Sequence, residues 1–375
     1  MIPFNIPCYI GTEEKYIREA IDNRQSWGKG VFVSQCQKWM ESTFSCKKAF
    51  LTTSCTHAIE MAALLIDIKE GDEIIMPSYT FVSTANAFAL RGARIVFVDI
   101  RADTMNIDDA LIEEAITKKT KAIVVVHYAG IACNMEKISD ICKRYKLFLI
   151  EDAAHGVMAK YKNQYLGTIG DVGCYSFHET KNYTCGVGGG IVVNNMDFVE
   201  RAAIIREKGT DRAKFLKGEV DKYTWVDIGS SYFPGELNAA YLYGQLEGAE
   251  KINQNRLKSW NAYYEGLKNL EKEKLLELPT IPQNCEHNGH IFYIKTKDLS
   301  ERTTLISFLK EKGIQATFHY GPLHLSLAGL KHGRFHGEDK FTTRESQRLL
   351  RLPLYYGLDD KVYQVIEAVM EFINA

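Results

Sequence analysis

Residues 147–155 read Leu-Phe-Leu-Ile-Glu-Asp-Ala-Ala-His. Four apolar residues run without alternation into an acidic pair, Glu151-Asp152, and small alanines follow. An uninterrupted apolar run of this length describes a strand covered on both faces, and the acidic pair marks its carboxyl end. Similar runs lie on either side. Strands are expected at Lys48–Ser54, Glu73–Tyr79, Ile95–Asp99, Ala122–Tyr128, Leu147–Asp152, Val172–Phe177 and Gly190–Val193. Between them, apolar residues recur at helical spacing over His57–Ile66, Ser83–Leu90, Ile107–Ala115, Met135–Tyr145 and Met196–Lys208. This rhythm predicts an α/β fold with a mostly parallel, seven-stranded, doubly wound sheet and ligands at the strand carboxyl ends. The last links are short, so an antiparallel member is expected among the late strands.

Past Leu246 the pattern changes. A charged helix over Glu247–Leu270 leads through a proline-containing loop, Leu278–Pro282, into a smaller α/β unit. That unit reads as a strand at His290–Lys295, a helix at Thr303–Lys312, a strand at Gln315–His319 and a final helix. The expected division is residues 1–246, the large domain, and residues 247–375, the long helix with a small domain.

A chain of 375 residues that is 46% hydrophobic can bury the cores of two such units. Net charge is −1 with no basic stripe, which argues against a nucleic-acid or membrane-surface partner. No apolar run reaches the ~20 residues of a membrane-spanning helix, and the start lacks the basic and apolar regions of a signal peptide. The nine cysteines form no C-x-x-C pair, so neither a metal site nor a disulfide framework is expected. The composition is that of a reduced, soluble, cytoplasmic protein.

Lys181 stands 29 residues after Asp152, in the stretch Ser176–Asn182 that runs into the glycines of CGVGGG. A carboxylate at a strand end and a lysine on the next connection meet the needs of a pyridoxal 5′-phosphate site. The amine can form an imine with the cofactor aldehyde, and the carboxylate can keep the pyridine nitrogen protonated. Asp152 reads equally as a helix cap, and a lone lysine is ordinarily a solvated surface residue. Ser54, Cys55 and Thr56 end the first strand and open a helix, either as a plain cap or as a phosphate cradle. Tyr79 and Phe81 alternate, so one of them can face a flat ligand while the other packs in the core. His155 follows Asp152 by three positions, and Ser176 precedes Lys181 by five. Glycines 186, 188, 189 and 190 permit close backbone approach. A dinucleotide site is excluded, because the first strand is followed by Ser-Cys-Thr where a G-x-G-x-x-G belongs.

These residues sit in motifs that, taken together, resemble the DegT/DnrJ/StrS family of sugar aminotransferases, fold-type I pyridoxal phosphate enzymes. The motifs are GDEIIMPSYTFVSTANA (71–87), IVFVDI (95–100), VHYAG (126–130), IEDAAHG (150–156), SFHETKN (176–182), REKGT (206–210), HYGPLH (319–324) and RLPLYYGL (351–358). The resemblance implies that Lys181 carries the cofactor, Asp152 pairs with the pyridinium and Phe81 stacks on its ring. It further implies that His155 lies beside the ring and that Ser54, Cys55, Thr56 and Ser176 hold the phosphate. Ser231 stands where many members place a residue that reaches the neighbouring subunit's phosphate, so a homodimer with shared sites is implied. His178, His319 and Tyr320 fall near the substrate.

The implied reaction moves an amino group from L-glutamate to a nucleotide-linked keto-deoxysugar for surface polysaccharide such as O-antigen or lipopolysaccharide. Through SFHETKNYT, VDKYTW and FHGED the resemblance further implies dTDP-4-keto-6-deoxyglucose as the substrate, giving dTDP-4-amino-4,6-dideoxygalactose. Formation of the gluco epimer, or amination of a 3-keto sugar, is the alternative. A sugar dehydratase of the same fold would carry histidine in place of Lys181, and a non-catalytic regulator would add a DNA-binding module. Two positions depart from the family: Gly188 replaces a common acidic residue, and 231–235 read Ser-Tyr-Phe-Pro-Gly.

Overall fold

The computed structural model describes residues 1–24 and 30–374. Its strands, in chain order, are β1 (Lys48–Thr52), β2 (Glu73–Pro77), β3 (Arg94–Val98), β4 (Thr120–Val126), β5 (Phe148–Asp152) and the short β6 (Lys160–Tyr161) and β7 (Gln164–Tyr165). They continue with β8 (Val172–Ser176), β9 (Gly189–Val193), β10 (Cys285–Glu286), β11 (Phe292–Lys295), β12 (Gly333–Phe335) and β13 (Leu349–Leu352).

The large sheet has the order β1-β9-β8-β5-β4-β2-β3-β12. All seven expected strands are in it, and β9 is the antiparallel member, pairing with both β1 and β8. The sheet has eight strands rather than seven. The eighth, β12, comes from the C-terminal part of the chain and pairs in parallel with β3. Three residues carry too little pattern to announce a strand, and only the edge of β3 makes them one.

Neighbouring strand residues feed opposite cores, which is why the strands are apolar throughout. Ile75, Val96, Ile123, Val125 and Leu149 pack on one face with the helices Val31–Phe44, Met135–Tyr145 and Glu236–Glu247. Ile74, Ile95, Phe97, Val124 and Ile150 pack on the other with Cys55–Leu65, Val82–Ala89 and Val199–Arg206. A third core, built from Trp260, Tyr263, Phe292, Ile294, Leu350, Leu352 and Val365 among others, joins the helices Ala249–Lys272 and Lys361–Ile373 to the antiparallel pair β11 and β13. A fourth cluster, with Tyr79, Tyr128, Ile291 and Tyr293, lies between this unit and the carboxyl ends of β2 and β4.

Three expectations change. The helix over Ile107–Ala115 shrinks to Ile112–Ala115, because the Asp108 side chain accepts from the Ala110 N–H and holds a turn instead. Gln315–His319 is not a strand: Thr317 bridges Arg351, and the chain then leaves to carry His319 and Tyr320 towards the sheet. The long helix runs Ala249–Lys272 and is preceded, across Gly248, by the helix Glu236–Glu247. Among the described residues no helix is long and apolar enough to cross a membrane.

Candidate functional site

At the carboxyl ends of β1, β2, β5 and β8 the structure leaves a cavity of about 430 Å³. Topology explains its place, since the connections after these parallel strands diverge and open a crevice there. Ser54, Cys55, Thr56, Phe81, Asp152, His155, Ser176, His178, Lys181, His319 and Tyr320 all line it. Ser231 does not; it is exposed and bridges Glu207.

Asp152 closes β5 and is buried. Thr84 Oγ1 donates to its Oδ2 (2.7 Å), and the Ala154 N–H donates to its Oδ1 (3.1 Å). A turn follows it rather than a helix, so it caps none. Burial raises its pKa, and the Thr84 and Ala154 hydrogen bonds and the nearby Lys181 work against that rise. Each carboxylate oxygen accepts one hydrogen bond and thus keeps acceptor capacity for a further donor.

Lys181 rides on a loop pinned at both ends. The Phe177 N–H donates to Gly188 O (2.9 Å), the Cys185 N–H to Phe177 O (3.0 Å) and the Lys181 N–H to His178 O (2.9 Å). Asn182 next to it is buried, donating to Asn288 O (2.9 Å) and meeting His290 Nδ1 (2.8 Å). The amine opens on the cavity, yet enclosure by protein lowers its pKa to about 8.

His155 accepts from the Ala129 N–H at Nδ1 (3.2 Å), which leaves Nε2 to carry the proton towards the Tyr320 hydroxyl (3.3 Å). Burial, then the charges of Lys181 and Arg351, push its pKa well below the ordinary histidine value, so the ring is neutral. His319 Nδ1 meets the Tyr128 hydroxyl (2.8 Å). Of the alternating aromatics, Tyr79 is 1% exposed and packs against Tyr128 and Tyr320, whereas Phe81 is 54% exposed and faces the cavity.

Ser54 is a helix cap whose helix, Cys55–Leu65, starts at the cavity; its side chain accepts from the His57 N–H (3.1 Å). Gly189 packs here so tightly that a Cβ would come within 2.3 Å of the Ser54 carbonyl carbon, so β9 needs glycine at this point. At Gly188 a Cβ would meet Cys185 Sγ at 2.3 Å, and the acidic residue common elsewhere would require Cys185 to move.

Thr84, Asn182, His290 and Arg351 were not legible as site residues. Thr84 offered a faint signal, three positions after Phe81, but its target is 68 residues away. Among the described residues no group of three or more His, Cys, Asp or Glu is placed to hold a metal ion.

Residues 7–370 match the DegT/DnrJ/EryC1/StrS aminotransferase family. An uncharacterized protein of Methanocaldococcus jannaschii is 35% identical, covering 99% of this chain and 97% of its own. The spore coat polysaccharide biosynthesis protein SpsC of Bacillus subtilis is 30% identical over 100% of this chain and 97% of its own. The crystal structure of the aminotransferase TlmJ from Streptoalloteichus hindustanus superposes with a TM-score of 0.91 at 27% identity, covering 100% of this chain and 99% of that one.

The cofactor of this family is pyridoxal 5′-phosphate, and the residues present fit it. A helix N-terminus bearing hydroxyls suits a phosphate, a buried carboxylate with acceptor capacity to spare suits a pyridinium, and an amine with a pKa of about 8 suits an aldehyde.

The depressed lysine pKa has a stability cost in the cofactor-free protein. The unfolded chain, with a lysine pKa near 10.5, binds the proton more tightly than the folded one. Stability therefore rises with pH between about 8 and 10.5, and the penalty, roughly 3 kcal/mol, is fully present below that window. Lys181→Met should raise the melting temperature of cofactor-free protein at pH 7 and flatten its rise from pH 8 to 10.5. An unchanged slope would mean that the folded lysine keeps its ordinary pKa.

Proposed function

The chain belongs to the DegT/DnrJ/EryC1/StrS aminotransferase family, and on that premise we propose that it transfers an amino group from L-glutamate to a nucleotide-linked keto-deoxysugar. The proposed acceptor is dTDP-4-keto-6-deoxyglucose, the product dTDP-4-amino-4,6-dideoxygalactose, and the use surface polysaccharide synthesis in the cytoplasm. One observation carries the chemistry: an amine, a buried carboxylate and a helix N-terminus converge on a single cavity. The sugar class is supported by the family motifs and by a relative named for spore coat polysaccharide biosynthesis.

When bound, pyridoxal phosphate supplies an aldehyde that takes up the amino group and a ring that withdraws electrons. The remaining tasks fall to the chain. Ser54, Cys55, Thr56 and Ser176 bind the phosphate, and Phe81 covers one face of the ring. Asp152 holds a proton on the ring nitrogen, and Thr84 fixes the carboxylate that does so. Lys181, its pKa brought down to about 8 by enclosure, removes the proton from the donor's α-carbon and later delivers one to the sugar carbon. His155, as a neutral ring hydrogen-bonded to Tyr320, orients without adding charge. His178, His319 and Tyr320 meet the sugar.

The test is a panel of keto-sugar nucleotides with glutamate, with the position and configuration of the new amine assigned by NMR. Amination of dTDP-4-keto-6-deoxyglucose with an axial 4-amine is expected. Exclusive amination of a 3-keto sugar, or of a substrate without a nucleotide, would overturn the substrate assignment.

The proposal includes a homodimer in which Ser231 reaches the neighbouring subunit's phosphate. One hydrogen bond to a charged group contributes roughly 1.5–3 kcal/mol. Ser231→Ala should then weaken cofactor binding about ten- to a hundred-fold, with kcat restored at saturating cofactor. Unchanged cofactor affinity would remove Ser231 from the site and leave the dimer untouched.

A further inference from the structure

Behind Lys181 lies a second cavity of about 130 Å³. It shares His155, Thr180, Lys181 and His319 with the larger one, so the two meet at the lysine. Asn5, His290 and Arg351 are among its other walls, and no aspartate or glutamate lines it. Burial holds the pKa values of His155, His290 and His319 well below the ordinary range, which leaves Lys181 and Arg351 as its cationic groups.

Arg351 has no carboxylate partner among the described residues. Its Nε and Nη2 donate to the Phe318 carbonyl (3.3 and 3.0 Å), and the Phe4 ring lies 4.7 Å from the guanidinium carbon. The groups that act on its charge, after burial, are the hydroxyls of Tyr128, Tyr79 and Tyr320. A partly buried guanidinium with donors to spare, held rigidly against a carbonyl and a ring, is prepared for a planar anion.

We propose that this cavity receives the α-carboxylate of the amino donor and that Arg351 anchors it. The inference rests on the transaminase reading of the larger cavity. An α-amino acid carries its carboxylate one carbon from the reacting nitrogen, so that carboxylate must be received beside Lys181. The larger cavity has no lysine or arginine but Lys181 itself. The smaller one offers roughly ten times the space one water needs, enough for a carboxylate and too little for a nucleotide.

The experiment mixes holoenzyme with glutamate, without acceptor, and follows the absorbance of the lysine-bound cofactor. In Arg351→Gln the half-saturating glutamate concentration should rise about ten- to a hundred-fold, the loss expected for a charge-assisted pair. Arg351→Lys should recover part of it, and the KM for the keto-sugar nucleotide should move by less than about twofold. Sodium glutarate, an unreactive dicarboxylate, should raise the melting temperature of wild-type holoenzyme and not that of Arg351→Gln. Unchanged glutamate saturation in Arg351→Gln would overturn the proposal, as would a rise in KM confined to the sugar nucleotide, which would make Arg351 a diphosphate anchor. A wild-type enzyme inert to glutamate would count against the transaminase reading, while the glutarate shift still decides the Arg351 assignment.

Discussion

Asp152→Asn should cut turnover about a thousandfold while the protein still folds and binds cofactor. The replacement keeps the size of the carboxylate and an oxygen that can still accept from the Ala154 N–H. Its NH2 takes the place of the oxygen that accepts from Thr84, whose hydroxyl can turn to accept instead; what is removed is the charge. At contact distance and an effective dielectric near 20, that charge is worth roughly 4 kcal/mol to a facing cation. This corresponds to about three pKa units at the ring nitrogen, so the proton that makes the ring an electron sink is lost. Loss of charge rather than of shape is the expected cause, so the melting temperature of the variant should stay close to that of the wild type. Turnover near wild type would mean that Asp152 only braces the turn through the Ala154 N–H.

Lys181→Ala should lose the covalent hold on the cofactor and, with it, the general base. A positioned base contributes typically 10²–10⁴-fold, and the loss of the covalent link adds to this, so turnover should fall by at least that factor. The cofactor should then leave on dialysis, and a small amine such as ethylamine should restore a fraction of the proton-transfer rate. Rescue distinguishes a missing base from a collapsed cavity, since an amine has nowhere to act in the latter. A variant that turned over at the wild-type rate would remove Lys181 from the chemistry.

What the sequence disclosed follows from how local each signal was. The strand 148–152 and Asp152 at its end were legible because an apolar run stopped by a carboxylate is complete within nine residues. Lys181 was legible through the motif around it, and the helix Met135–Tyr145 through its periodicity, which the structure reproduces residue for residue. Thr84, Asn182 and Arg351 were not, because each owes its meaning to a partner far along the chain: Asp152, His290 and the cavity behind Lys181. The strand β12 escaped for the same reason, three residues that become a strand only against β3. At Ile107–Ala115 the helical spacing was real, but an aspartate side chain competed for the backbone and won.

The most direct test of the central claim is chemical. Holoenzyme reduced with borohydride, digested and mapped by mass spectrometry should carry the phosphopyridoxyl mass on one residue, Lys181, with loss of the yellow colour. A label on another lysine, or none, would contradict the assignment of this cavity as the site of transamination.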